Sequence, residues 1–158
     1  MPNITPFLWF NDNAEEVMKF YVSVFKNSKI GSITRYSEGT PGKAGTVMTA
    51  TFSLDGQDFI ALNGGPHFKF TEAISFSVNC ESQEEVDRLW EILTADGGEE
   101  SQCGWLKDKF GLSWQIVPSG MGEIMGGKDP EGSKRAMRAM MQMKKLDIAA
   151  LKNAYEGK

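Results

Sequence analysis

The sequence predicts an α+β fold: two βαβββ modules forming curved mixed sheets around a cleft, followed by a helical C-terminal extension. Three observations carry this. Glu15-Glu16-Val17-Met18-Lys19-Phe20-Tyr21 returns sixty-nine residues later as Glu84-Glu85-Val86-Asp87-Arg88-Leu89-Trp90, with acid pair, branched residue and aromatic end in the same order. An internal echo of this length marks repeated modules rather than one continuous design. Short alternating or aromatic segments flank each copy, as strands around a helix should. After Asp129-Pro130 the pattern changes to Met and Ala at helical spacing. Two modules facing each other make a cleft, and a cleft is where a small molecule binds.

In module one, residues 4–10 form a short aromatic strand, with Pro6 near its start, where a missing ladder donor is tolerated. Asn11-Asp12-Asn13 offer cap side chains to a helix running to Phe25, along which Val17, Phe20, Tyr21, Val24 and Phe25 make one apolar stripe. Residues 29–36 predict a strand, residues 38–45 a Gly/Pro-punctuated loop, and residues 46–54 a half-buried alternating strand. Asp55-Gly56 is a hairpin signal, residues 58–62 return, and Asn63-Gly64-Gly65-Pro66 closes the module.

Module two repeats the plan. Residues 73–79 predict a strand with Ile74, Phe76 and Val78 on one face. Ser82 and Glu85 stand at capping-box spacing before a helix over residues 83–94, which Gly97-Gly98 ends. Residues 99–106 and 112–117 supply the remaining strands around a turn at 107–111, and residues 118–127 are irregular. Asp129-Pro130 then caps a helix carrying Ala136, Met137, Met140, Met141 and Met143, and Asp147 caps a last one through Leu151 to Tyr155. The expected organisation is residues 1–66, 67–118 and 119–158.

At 158 residues the chain is one domain, or two small modules sharing a core. Its net charge of −4 argues against a nucleic-acid partner, which wants a concentrated basic surface. The basic residues from Lys134 to Lys145 alternate with Met and Ala, as on the solvated face of an amphipathic helix. No apolar run approaches the roughly 20 residues of a membrane span. Met1-Pro2-Asn3 lacks the basic start of a signal peptide, and Cys80 and Cys103 form neither a disulfide framework nor a zinc set. The expectation is reduced thiols in the cytoplasm.

Trp9, Phe10, Trp105 and Trp114 fall on strands expected to line the cleft, with Asn63, Ser75, Gln102 and Gln115 facing inward beside them. Aromatic walls with neutral amides suit a flat, partly apolar ligand held by hydrogen bonds. The candidate ligand-binding set is therefore Trp9, Asn63, Ser75, Gln102, Trp105, Trp114 and Gln115, the alternative being that the aromatics are plain core. His67 is either an acid–base group or an ordinary loop histidine, and no catalytic residue is assigned. Cys80 and Cys103 have no base adjacent in sequence and serve equally as small buried hydrophobes.

Several runs go together: Thr5-Pro6-Phe7-Leu8-Trp9-Phe10, Phe20-Tyr21 through Phe25, Ala61-Leu62-Asn63-Gly64-Gly65-Pro66 and Phe76-Ser77-Val78-Asn79-Cys80. The longest, Trp105-Leu106-Lys107-Asp108-Lys109-Phe110-Gly111-Leu112-Ser113-Trp114-Gln115, is rich in rare residues, and a Met-rich tail follows it. On these residues the chain resembles the PhnB-like group of the vicinal-oxygen-chelate superfamily, which includes glyoxalase I, bleomycin-resistance proteins and extradiol dioxygenases. The group is often labelled 3-demethylubiquinone-9 3-methyltransferase-like. The resemblance implies the repeated module, a homodimer that sometimes exchanges modules, and a divalent metal held by His and Glu from the first and last strand of each module.

At the four corresponding places stand Thr5 or Pro6, Ala61 or Asn63, Ala73, and Gln115. None is a His, Cys, Asp or Glu, and neutral amides do not replace carboxylates and imidazoles. No metal and no cofactor are therefore expected. A methyl donor would want a glycine-rich strand-to-helix turn, which the pattern does not contain. The leading expectation is a metal-independent binder of an unidentified small molecule, similar in kind to the drug-sequestering members. The alternative is a divergent lyase, isomerase, dioxygenase or methyltransferase in which His67, Lys107-Asp108 or an unplaced metal ligand does the chemistry. A third is an interaction module.

Overall fold

The structure, a computed structural model, describes residues 3–158, which divide after Lys69 into two units. In the first, β1 (Phe7–Phe10), α1 (Ala14–Val24), β2 (Lys29–Arg35), β3 (Val47–Leu54) and β4 (Gln57–Asn63) follow in order. The sheet order is β1-β4-β3-β2, with β1 parallel to β4 and the other pairs antiparallel. Helix α1 covers one face. Its Ala14, Val17, Met18, Tyr21 and Val24 are buried, as are Leu8, Phe10, Ala50, Phe52, Leu54, Phe59 and Ala61 from the strands. The Phe52 and Phe59 rings stack at 5.5 Å, and Tyr21 lies 6.3 Å from Phe52. Each such side chain contributes about 1.5–3 kcal/mol by leaving water.

Strand β1 starts at Phe7 rather than at residue 4, because Pro6 has no N–H to give the ladder. The cap of α1 also differs from expectation. Asn13 makes no side-chain capping bond; instead Asn63 Oδ1 accepts from Ala14 N at 2.8 Å. The Asn63 amide also donates from Nδ2 to Val47 O at 3.1 Å. The end of β4 thus ties the helix start to β3.

The second unit holds β5 (Phe76–Cys80), α2 (Gln83–Thr94), β6 (Glu99–Glu100), β7 (Trp105–Lys107), β8 (Ser113–Pro118), α3 (Met121–Met125), α4 (Pro130–Met141) and α5 (Ile148–Glu156). Its sheet order, β5-β8-β7-β6, repeats the first with the same parallel and antiparallel pairs. The duplicated βαβββ plan is present. Ser82 Oγ accepts from Glu85 N at 3.2 Å, while Glu85 Oε2 reaches back to Glu81 N at 3.0 Å, one residue before the cap. Helix α2 buries Val86, Leu89, Trp90 and Leu93 over Leu106, Trp114 and Ile116.

Three expectations differ from the structure here. The single strand over residues 99–106 is a hairpin: β6 and β7 reverse about residues 101–104, where Cys103 (φ 58°) and Gly104 (φ 86°) are left-handed. Ser101 N donates to Trp105 O at 2.9 Å to close it. The irregular stretch 118–127 contains α3, and residues 73–75 precede β5 rather than belonging to it.

The helical extension belongs to the second unit. Between α4 and α5, Met143 O and Lys144 O accept from Cys103 N and Gly104 N, each at 2.8 Å. The Gln83 amide donates to Leu146 O at 3.0 Å and accepts from Ile148 N at 2.8 Å. Leu146, 1% exposed, is the plug of this joint. Asp129 and Asp147 cap α4 and α5 as the sequence predicts. The methionines divide: Met121, Met125, Met140 and Met143 pack around Ile124, Ala136 and Leu151, whereas Met137 and Met141 face solvent.

Candidate functional site

Each helix covers one face of its sheet, so alternate strand residues line the opposite face. In the first sheet, cross-strand rows run Trp9–Leu62–Thr49–Thr34 and Phe7–Ile60–Thr51. Apolar groups stand on β1 and β4, hydroxyls on β3 and β2. Thr34 Oγ1 and Thr49 Oγ1 are bonded at 2.6 Å. The closing Asn63-Gly64-Gly65-Pro66 segment cradles Trp9. The indole Nε1 donates to Gly65 O at 2.9 Å, Phe68 meets the ring edge-on at 4.9 Å, and a Cβ on Gly64 would lie 2.3 Å from the ring. That close approach is why glycine stands there.

In the second sheet the open face carries the rows Trp105–Gln115–Ser77 and Lys107–Ser113. Gln115 Nε2 donates to Ser75 Oγ at 3.0 Å, and Lys107 Nζ pairs with Glu72 at 2.5 Å. This pairing holds the Glu72 carboxyl below its usual range and the Lys107 ammonium above its own.

Of the seven residues expected to bind ligand, Trp9 lies on the open face of the first sheet, and Ser75, Trp105 and Gln115 come together on that of the second. The other three are placed differently. Trp114 is 3% exposed and points under α2, because neighbours on a strand face opposite ways and Gln115 takes the open side. Phe10 is core for the same reason. Asn63 spends both amide atoms on α1 and β3, and Gln102 sits exposed in the β6–β7 turn. Ser77 and Ser113 were not expected at the site, and Lys107 was expected only as a catalytic group; the alternation outward from Trp105 and Gln115 points to all three.

A separate hollow of about 960 Å³ lies within the first unit, between the start of α1 and the loop that follows β2. His67 lines it, along with Arg35 and Lys43 on the cationic side and Asp12, Glu15 and Glu16 on the acidic side. The Cys80 thiol, fully buried, is pushed up from 9.0 to about 11 by loss of solvent.

Among the described residues, no three or more His, Cys, Asp or Glu side chains stand close enough to hold a metal ion. Thr5 and Pro6 precede β1, Ala61 is buried under α1, Ala73 lies in a turn, and Gln115 is directed by Ser75. These residues do not fit the divalent metal of the superfamily.

Residues 2–117 match the family described as 3-demethylubiquinone-9 3-methyltransferase. The chain belongs to this family. A putative 3-demethylubiquinone-9 3-methyltransferase, PhnB protein, from Bacillus cereus is 42% identical, with a TM-score of 0.68 over 75% of this chain and 100% of that one. A Pseudomonas aeruginosa protein (22% identity, TM-score 0.61, 75% and 98% covered) shares the fold. So does the fosfomycin resistance protein FosX from Listeria monocytogenes (15% identity, TM-score 0.53, 77% and 93% covered). No curated protein matches the chain.

In this PhnB-like chain, β1 and β5 enter their helices without a glycine. Only β8, among the described strands, enters a helix through one, at Gly120, and α3 beyond it is five residues long. The family's descriptive name thus finds no glycine-rich methyl-donor turn here. No described helix is long and apolar enough to cross a membrane.

Proposed function

We propose that this PhnB-like protein binds a small, partly aromatic molecule on the open faces of its sheets, without the superfamily's metal. One observation supports this above others: opposite each covering helix stands a half-buried tryptophan, Trp9 or Trp105, among hydroxyls and an amide rather than among metal ligands. An aromatic wall gives area, and neutral donors give orientation. Asp108 is fully engaged by its own loop, so Lys107-Asp108 does not serve as an acid–base pair in this reading. The protein acts in the cytoplasm as a homodimer and does not engage nucleic acid, in keeping with its net charge of −4.

Elemental analysis of untagged protein, with ligand binding measured before and after chelation, tests the reading. It expects far less than one metal per chain and binding that survives chelation. Stoichiometric zinc, nickel, manganese or iron whose removal abolishes binding would overturn it.

A further inference from the structure

We propose that the open face of the second sheet selects an aromatic acid, with Lys107 taking its anionic group and Glu72 acting as the resident counter-ion that the ligand displaces. This deepens the binding function proposed above and rests on it.

Lys107 is paired across the ladder with Ser113, and the next row on the same face is Trp105–Gln115–Ser77. An aromatic ring laid on Trp105 therefore brings a substituent two residues along β7, to the Lys107 ammonium. Among the strand positions of this face, Lys107 is the cation; Glu99 opposes it on β6 and Glu72 closes on it from the turn before β5. Glu72 lies at the surface: its side chain is 64% exposed, against 33% for Lys107. A carboxylate so exposed is readily exchanged for another.

A second observation points the same way. Ser113 is 1% exposed, and its Oγ has no hydrogen-bond partner among the described residues. Buried hydroxyls rarely stay unpartnered. An oxyanion seated between Lys107 and Ser113 supplies the missing acceptor, and Gln115, already directed by Ser75, stands beside it. Glu72 from its exposed turn neutralises the ammonium in the meantime.

The test uses 2-naphthoate and its uncharged counterpart 2-naphthamide, which share a ring system and differ in charge. Calorimetric titration of the full chain should show the acid binding more tightly than the amide. Glu72→Gln should raise acid affinity about two- to fivefold, the size of an exposed ion pair, and leave the amide unchanged. Lys107→Met should abolish the preference for the acid. Equal binding of acid and amide, with no response to Glu72→Gln, overturns this inference and leaves the binding function standing. Binding of neither compound to any of the three proteins also overturns this inference, and a wider panel of aromatic compounds then decides the binding function by itself. Should Lys107→Met fail to fold, the surface change Glu72→Gln decides alone.

Discussion

Trp114 donates its indole N–H to Asp108 Oδ2 at 2.8 Å, across the turn between β7 and β8. The other carboxylate oxygen accepts from Phe110 N at 2.9 Å and Leu112 N at 3.0 Å. A buried charge is thus satisfied by three donors, and the loop joining two strands of the sheet is wound around it. Asp108→Ala orphans all three and should cost about 3 kcal/mol or more, read as a lower urea midpoint at unchanged slope. Asp108→Asn keeps one acceptor and should cost less. Stability equal to wild type in both would contradict this role.

Gly64 fixes Trp9 by having no side chain. The Cβ of Gly64→Ala would fall 2.3 Å from the Trp9 ring, so the indole must move and release Gly65 O. Overpacking of this kind costs about 1–3 kcal/mol. The accompanying change in tryptophan emission should be absent when Trp9→Phe is combined with it.

The helical extension is anchored at one joint. Leu146→Ala should destabilise the second unit by about 2–5 kcal/mol and Gln83→Ala by about 1 kcal/mol. Limited proteolysis checks this: cleavage within residues 142–147 should quicken in both variants, and in Leu146→Ala more than in Gln83→Ala.

Cys80 and Cys103 should behave differently toward a thiol reagent. The partly exposed Cys103 reacts in the folded protein, whereas Cys80, with no exposure and a thiol raised to about 11, waits for unfolding. The sign for stability follows. The folded state holds the Cys80 proton more tightly than the unfolded chain, so its contribution is complete below about pH 9 and is lost as pH rises through about 11. Cys80→Ala should remove that part of the alkaline slope, and an unchanged slope would refute the assignment.

What could be read from residues alone had local causes. Helix α2 starts at Gln83 as expected because Ser82 and Glu85 act within one turn of the chain, though it ends at an extended Ala95 rather than at a left-handed glycine, and Asp129-Pro130 and Asp147 start their helices by the same local chemistry. The β6–β7 hairpin was hidden because Cys103, a residue with no turn preference, takes the left-handed position before Gly104. The cap on α1 comes from Asn63, forty-nine residues beyond Ala14, where no spacing rule reaches.

The site divided in the same way. Trp105 and Gln115 share a face because they are ladder partners, while Trp114 turns to the other, since adjacent strand residues cannot share a side. Gln102 was misplaced with the hairpin that carries it. Trp9 was legible as an aromatic on a strand, but its cradle required knowing that the Gly64-Gly65 segment returns to it.

The most direct test is a thermal melt of the protein with a panel of aromatic and quinone-like compounds, run in the presence of excess EDTA. A compound at one hundred times its dissociation constant adds about 2.7 kcal/mol to stability. At least one compound should raise the melting temperature with EDTA present, and that shift should be lost in Trp105→Ala. A shift that disappears with EDTA and returns with a divalent metal would contradict metal-independent binding.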